Sequence, residues 1–358
     1  MKGSPDNIRD LKESETYFDY YSESRGVEQG TLRNTNTAWN HIQSFLNERD
    51  LEFEEVGERE ALDFCDFLKQ RDSLEEKSAE MYVYQLSRMV QWFKRRGVFD
   101  YDPFALALEE NPFKYDSETI KREVLLEELR VGIDSIRNPL VLTLVVLLLK
   151  TGMRLSEAAN LDYRDIHLDH SIAERMDTPR AQVADKPDSL YIDSSISEGQ
   201  FHNGELRKNG NKPNSYRVIP IDDELKATLV WWIGMTLRSP SPANPLLVKN
   251  NRGMGARYEA YRLRDIFSEW ANQNGWHRGS GGGQYQLNVT PHWCRHWFST
   301  MLRKRIDSDE IEIGTVDNYV NGLRGDSEGN VLEIYTHDWG DNKWMRDAYI
   351  DNVPKLFR

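Results

Sequence analysis

The chain has 358 residues, which exceeds the usual size of a single hydrophobic core and therefore favours two domains. It carries 46 basic and 59 acidic residues, a formal net charge of -13, so its overall charge is the wrong sign for a simple nucleic-acid binder. Binding to a polyanion would depend on basic residues clustered along one groove. The acidic surplus, with arginine making up 30 of the 46 basic residues, indicates either a salt-adapted surface or an ordinary acidic protein.

The cysteine content and hydropathy predict the compartment. Cys65 and Cys294 lie far apart without a partnering cluster of His and Cys, so we expect neither a disulfide framework nor a metal site. The longest apolar run, residues 140–149, is too short to span a bilayer, and the charged N-terminus lacks the apolar stretch of a signal peptide. We therefore expect a cytoplasmic protein that makes no contact with a membrane.

The N-terminal part of the chain has the pattern of a helical domain. Residues 1–14 are polar and are predicted to be loose. Residues 15–110 contain three or four amphipathic stretches with helical period, and Trp39, Ile42, Phe45 and Leu46 form one such face. Proline at positions 103 and 112 indicates the exit, because the residue before a proline disfavours helical angles. We predict a linker at residues 111–120.

Residues 121–358 are predicted to form a second domain that ends in a C-terminal tail. Asn138 and Pro139 have the pattern of a helix N-cap and first helical position, and Gly152 is typical of the helix stop. A second helix is expected to begin near Ser156.

Strand-like segments follow at Ser189–Ile192 and at residues 216–221. Helical patterns resume at Asp223–Met235, at residues 258–270 and after Thr290. The predicted fold class is therefore mainly α with a small β-sheet, an α+β fold.

Two pairs of residues could contact an anion. Arg154 follows a buried helix and a glycine turn, with Glu157 three residues on, although an ordinary helical ion pair has the same spacing. His292 and Arg295 share one face of the first turn of a helix, where both could point at a phosphate near its positive end. The alternative for this second pair is a capping histidine and a surface arginine.

Two further residues are uninformative when each is taken alone. Lys212 precedes the strand-like segment at 216–221, from where a mobile ammonium could reach a groove, but most loop lysines are merely solvated. Tyr335, in Ile334-Tyr335-Thr336-His337, has the pattern of a half-buried aromatic residue.

The order of these residues along the chain is more specific than any one of them. Arg-x-x-Glu, then a lysine before a strand that ends in Ile-Pro, then His-x-x-Arg-His, then Ile-Tyr-Thr-His near the C-terminus resembles the tyrosine recombinases, the family of phage and proviral integrases and Xer-type resolvases. The resemblance covers residues from about 118 to the end. The helical domain before them is similar, more loosely, to the core-binding domain of the family.

The resemblance implies a site-specific recombinase that cuts and rejoins double-stranded DNA at attachment sites through a 3′-phosphotyrosyl link to Tyr335, without metal or cofactor. Arg154 and Arg295 would stabilise the charge on the scissile phosphate, because guanidinium offers a planar fork that matches phosphate oxygens. His292 would assist the tyrosine or contact the phosphate, and Lys212 would protonate the departing 5′-oxygen.

The same resemblance implies supporting residues and an assembly. Glu157 would brace Arg154 or the neighbouring histidine, and His296 would support the site from its adjacent position. A homotetramer on DNA is expected, associated with the nucleoid when bound, and an integrating element such as a provirus is the expected source. The C-terminal tail would dock either on a neighbouring subunit or on its own domain.

Two departures from the family pattern concern the site. Asp326 stands where many members carry a His or Trp that contacts the phosphate, and a carboxylate there would repel phosphate unless it were protonated or turned away. Either Arg324 or a residue such as Trp339 is then expected to take over the contact, or the activity is expected to be lower. A long polar insertion at about residues 193–207 blurs the register of the catalytic lysine, so Lys208 is a rival to Lys212.

Two other functions are compatible with the same residues. A catalytically decayed, sequence-specific DNA-binding protein would keep the helical domain and lose strand cleavage. A type IB topoisomerase shares the chemistry but relaxes supercoils as a monomer, and the compact length and the C-terminal tail favour the recombinase.

Overall fold

The computed structural model describes residues 17, 29–71, 74–95, 97–110, 112–114, 122–236, 242–249, 255–277, 287–307, 316–326 and 343–358. The chain folds as two compact units, Met1–Thr119 and Ile120–Arg358. Among the described residues, no helix combines the length and apolarity needed to cross a membrane.

The first unit is helical in its described residues. Its helices are α1 (Gln29–Arg49), α2 (Glu58–Lys69), α3 (Glu76–Lys94) and α4 (Pro103–Glu109). Their apolar faces meet in an aromatic core that includes Phe45, Phe53, Phe64 and Phe104. The helices expected in this part of the chain are confirmed. Pro103 opens α4 and does not end the helical part, in contrast to the prediction for this proline.

A buried helix and a glycine turn organise the second unit. Helix α5 (Leu126–Asp134) precedes α6 (Pro139–Thr151), whose apolar residues form the centre of the core. The Asn138 side chain accepts a hydrogen bond from the Leu140 backbone N–H, and Pro139 opens the helix. Gly152 ends it at φ 59°, the left-handed conformation that glycine adopts without steric cost. The predicted start and stop of this helix are therefore confirmed.

A small antiparallel sheet follows α7 (Leu155–Asn160). Strands β1 (Ile166–His167), β2 (Ser189–Ile192) and β5 (Arg217–Pro220) lie in the order β1-β2-β5, with Leu190 opposite both Ile166 and Ile219. Both longer strands were predicted, whereas β1 has only two residues and is too short to show a period.

The polar insertion between β2 and β5 contains a hairpin. Its strands are β3 (Phe201–His202) and β4 (Glu205–Leu206), with Phe201 opposite Leu206. The short helix α8 (Ala181–Ala184) precedes β2.

The remaining described helices close the second unit. They are α9 (Asp223–Met235), α10 (Ala260–Gln273), α11 (Pro291–Arg305), α12 (Val316–Arg324) and α13 (Lys343–Asn352). The expected α+β class, mostly helical with small antiparallel sheets, is confirmed.

The C-terminal tail packs on its own domain. Leu356 is fully buried, and its backbone N–H and that of Phe357 donate to the Glu224 carboxylate at 2.8 and 3.0 Å. The buried Lys150 ammonium donates to the Pro354 carbonyl at 2.8 Å. In this single chain the tail therefore occupies one of its two expected positions, the one on its own domain.

Candidate active site

Arg154 is positioned by the turn that ends α6. Gly152 reverses the chain, and Arg154 becomes the residue before the first turn of α7. Its backbone N–H and its Nη1 donate to the two oxygens of Glu157, at 2.8 and 2.9 Å. The Arg154 to Glu157 contact predicted from their spacing is confirmed, and it leaves Nη2 directed away from Glu157 toward Asp326.

Arg295 lies on α11 and is almost completely buried. Its Nη1 donates to the Gly152 carbonyl and its Nη2 to the Arg324 carbonyl, both at 2.6 Å. Burial, together with the charges of Arg217 and Arg154, lowers the pKa of Arg295 to about 10. The guanidinium is therefore still protonated at neutral pH, and two backbone carbonyls hold it in place.

Asp326 lies between these arginines. Its Oδ1 is 2.5 Å from Arg154 Nη2 and 2.8 Å from Arg295 Nη2, and its Oδ2 is 2.9 Å from Arg324 Nη2. Burial opposes ionisation of Asp326, but the charges of Arg295, Arg324 and Arg154 outweigh it and lower the pKa of the carboxyl. Asp326 is therefore neither protonated nor turned away, in contrast to the two conditions expected from the sequence.

Arg217, which the sequence reasoning missed, is the most deeply buried arginine of the site. It leaves β5 with its side chain fully withdrawn from solvent and donates to Glu157 at 2.7 Å through Nη2. Its Nε donates to the Leu323 carbonyl at 2.6 Å. Gly325 allows this approach, because a Cβ at that position would lie 2.7 Å from Arg217 Nη1. An arginine within an otherwise apolar strand is the sequence signal that could have found it.

Glu157 connects Arg217 to Arg154 and is fully buried. Burial by itself would raise the pKa of this carboxyl, but the charge and hydrogen bonds of Arg217 and the charge of Arg154 lower it below its ordinary value. The ionised carboxylate accepts from both arginines. Glu157 therefore holds both Arg154 and Arg217 in place.

The two histidines of α11 contact each other, and His292 lines a cleft. His292 Nε2 and His296 Nε2 are 2.9 Å apart, with ring centroids 4.5 Å apart in an edge-on arrangement. A cleft of about 290 Å³ is lined by His292, Arg154 and Arg295, together with Arg264 and His277. The cleft thus brings three of the predicted residues together and adds two that the sequence did not single out.

The two rival lysines have different partners. Lys212 Nζ lies 3.9 Å from Asp326 Oδ1, and about half of its side chain is exposed. Lys208 Nζ donates to Glu259 at 3.0 Å, and the hydrogen bond and charge of Glu259 raise the pKa of Lys208. Of the two ammonium groups, the structure directs that of Lys212 toward the arginine cluster.

The predicted nucleophile Tyr335 lies outside the described residues, as does Trp339, the alternative phosphate contact. The role of Tyr335 stays a prediction. The described residues do show a cationic cluster made of Arg154, Arg295, Arg324 and Lys212 around one carboxylate. Such a group of fixed donors can bind a monoanion and stabilise additional negative charge on it.

The chain is similar in sequence to a family of domains and to a curated protein. Residues 15–114 match the family described as the phage integrase SAM-like domain. Tyrosine recombinase XerS of Streptococcus agalactiae is 23% identical over 202 residues, which cover 56% of this chain and 43% of that protein. The match thus spans less than half of the length of this curated relative.

Solved structures share the fold across most of the chain. The Tn1549 transposon integrase in complex with transposon right end DNA has a TM-score of 0.61 at 18% identity, over 92% of this chain and 96% of that chain. A lambda integrase tetramer bound to a Holliday junction has a TM-score of 0.55 at 16% identity, over 91% of this chain and 82% of that chain. These likenesses show that the chain has the fold shared by the integrases of these solved structures, and that its N-terminal residues resemble the phage integrase SAM-like domain.

Proposed function

We propose that the chain is a site-specific DNA recombinase that cleaves and rejoins duplex DNA through a covalent link to Tyr335. The observation that carries the proposal is the convergence of Arg154 Nη2 and Arg295 Nη2 on one carboxylate oxygen, at 2.5 and 2.8 Å. Two guanidinium groups that share one oxygen of a carboxylate can share a non-bridging oxygen of a phosphodiester in the same way.

In the proposed reaction, Tyr335 Oη attacks the phosphorus, and the bond between phosphorus and the 5′-oxygen breaks. The products are a 3′-phosphotyrosyl enzyme and a free 5′-hydroxyl, which retain the bond energy for rejoining. The tyrosine loses its proton as it attacks, since its ordinary pKa is about 10. Attack by a 5′-hydroxyl then reverses the step and releases Tyr335.

Arg154 and Arg295 stabilise the charge that develops on the phosphate in this proposal. Lys212 protonates the departing 5′-oxygen, which is supported by its ammonium lying beside the arginine cluster while Lys208 is paired with Glu259. His292 accepts the tyrosine proton or binds the phosphate. This role is supported by its position in the cleft that Arg154 and Arg295 also line. His296 supports His292 through their close ring contact.

We further propose that the substrate is attachment-site DNA and that the active assembly is a homotetramer. The chain would be encoded by a provirus or another integrating element and would act in the cytoplasm on nucleoid DNA. The lambda integrase tetramer on a Holliday junction supports the assembly by its shared fold. The net charge of -13 supports a salt-loaded host. In that case DNA binding should persist at about 1 M salt, which would release an ordinary basic protein; loss of binding at modest salt would exclude this adaptation.

The test of the function is covalent capture. The full chain and its Tyr335→Phe variant are incubated with nicked duplex DNA from the junction of the host element, and the products are separated on a denaturing gel. We expect a protein-DNA adduct only with the unmodified chain. Binding without an adduct, on verified junction DNA across a range of salt, would contradict the proposal.

The contacts of Asp326 favour one alternative function, which the same adduct assay tests. Its carboxylate pairs with the arginines that the reaction would need, which is compatible with a decayed DNA-binding protein. Binding without cleavage would establish that alternative. A type IB topoisomerase would instead form the adduct and relax supercoiled plasmid as a monomer, without exchanging strands between sites.

A further inference from the structure

Four cationic groups surround the Asp326 carboxylate. Arg154 and Arg295 meet Oδ1, Arg324 meets Oδ2, and the Lys212 ammonium lies 3.9 Å from Oδ1. The buried carboxylate of Glu157 also belongs to this cluster, but Arg154 Nη1 and Arg217 already hold it. A single carboxylate therefore occupies the centre of the cationic cluster.

Asp326 meets one terminal nitrogen, Nη2, of each of Arg154 and Arg295, and Nη2 of Arg295 also donates to the Arg324 carbonyl at 2.6 Å. Arg154 Nη1 is bound to Glu157, and Arg295 Nη1 is bound to the Gly152 carbonyl. Nη2 of both arginines points at Asp326 Oδ1. Because Glu157 and the Gly152 carbonyl hold the two Nη1 atoms, a phosphodiester bound through the two Nη2 atoms contacts the same nitrogens as Asp326 Oδ1.

Asp326 is placed where it can exchange with a ligand. It follows α12 and Gly325, which has φ 69°, and about a quarter of its side chain is exposed. A carboxylate and a phosphodiester each carry one negative charge. Replacing the first by the second therefore leaves the net charge of the cluster unchanged, whereas binding both together would crowd two anions onto the same nitrogens.

We propose that Asp326 is an internal competitor for the phosphate site, whose carboxylate must be displaced from Arg154 and Arg295 before the phosphodiester binds, and that Arg324 is then the third guanidinium that contacts the phosphate. This rests on the proposed function, since it takes the phosphodiester as the ligand of the cluster. It also gives a role to the residue that departs from the family pattern.

Binding of inorganic phosphate to the full chain tests the competition without DNA. We expect Asp326→Asn to bind inorganic phosphate at least about ten-fold more tightly than the unmodified chain in low-salt buffer free of other oxyanions, measured by calorimetry. Asp317→Asn is the matched control, because Asp317 also pairs with an arginine, Arg303 at 2.6 Å, but outside the cluster. Equal affinities in all three proteins would overturn the proposal.

Two more substitutions at position 326 control for a folding defect. Asp326→Ser removes the charge with a smaller side chain and should show the same gain, whereas Asp326→Glu keeps a carboxylate and should not. Circular dichroism and thermal unfolding establish that each variant is folded. If both uncharged variants unfold where the unmodified chain is folded, the carboxylate is structural and the proposal fails.

The adduct assay separates this proposal from the proposed function. With nicked junction DNA, Asp326→Asn should form the Tyr335 adduct at least about ten-fold faster, since no carboxylate has to leave. An adduct with the unmodified chain but an unchanged or slower rate with Asp326→Asn would leave the function standing and overturn the competition. A gain in phosphate affinity without an adduct from any variant would support the competition and contradict the function.

Discussion

Arg217 Nη2 donates a 2.7 Å hydrogen bond to Glu157 Oε2, and both side chains are fully withdrawn from solvent. The pair joins strand β5 to helix α7, 60 residues apart. Through the other oxygen of Glu157, the same carboxylate holds Arg154. A buried ion pair that is hydrogen-bonded on several sides fixes geometry, because any displacement leaves a charge without its partner.

Glu157→Gln should therefore lower the free energy of unfolding by about 3 kcal/mol, since it leaves the buried Arg217 charge uncompensated. Glu127→Gln is the control, because Glu127 makes an equally short contact with Arg130, at 2.7 Å, on the exposed face of a helix. The free energy of unfolding lost in Glu127→Gln should stay below about 1 kcal/mol. Equal losses in denaturant unfolding would show that the buried pair has no special role.

The stability of the chain should fall in acid in a way that depends on Glu157. Folding lowers the pKa of this carboxyl, so its ionised form stabilises the folded chain above its ordinary pKa of about 4.3. That stabilisation is lost as the pH falls through the lower folded-state value. Unfolding measured from pH 6 down to pH 2.5 should show a smaller loss for Glu157→Gln than for the unmodified chain; parallel curves would contradict the assignment.

Arg154→Lys and Arg295→Lys should each slow adduct formation by about 100-fold or more, because an ammonium cannot present the paired donors of a guanidinium. DNA binding, measured by gel shift, should change far less. Arg262→Lys serves as the control, since this arginine is exposed and contacts Asp265 at 3.6 Å. Adduct formation at the same rate in all three variants would remove both arginines from the proposed mechanism.

Gly152→Ala should lower the free energy of unfolding by about 2–5 kcal/mol. Part of this loss comes from placing alanine in a left-handed backbone conformation. The rest comes from overlap of the new Cβ with the ring of Phe298. Gly199→Ala has a similar φ of 76° with open space around it, so only the backbone cost of about 1–2 kcal/mol is expected. Because the Gly152 carbonyl holds Arg295, the first variant should also lose adduct formation, and the second should not. Equal unfolding losses would show that the Phe298 contact is relieved without cost.

Leu356→Ala should lower the free energy of unfolding by about 2–5 kcal/mol, because this side chain fills the core of its own domain. Leu206→Ala, at an exposed position of the β3-β4 hairpin, should have little effect. The loss for Leu356→Ala should be the same at protein concentrations ten-fold apart. A concentration-dependent loss would place the tail on a neighbouring subunit.

The sequence by itself determined the elements whose cause is local. Asn138, Pro139 and Gly152 delimit α6 because a capping side chain, a fixed φ and a left-handed turn act on adjacent residues. The three-residue spacing of Arg154 and Glu157 determined their contact for the same reason. The order of the polar motifs along the chain also pointed to the fold that the solved integrase structures share, although not to the chemical state of each residue.

Only the tertiary structure decided how the site is assembled. The contact between Arg154 and Asp326 joins residues 172 positions apart, and no period in the sequence encodes such a distance. Asp326 was expected to repel phosphate, yet packing places it among arginines that lower its pKa and hold it ionised. The only sequence signal at Arg217 was a charge in an apolar strand, because its role arises only where β5, α7 and the end of α12 meet and bury its charge against Glu157 and the Leu323 carbonyl. Packing of distant segments sets these charges side by side, and the low polarity of the buried site then makes their pairing strong.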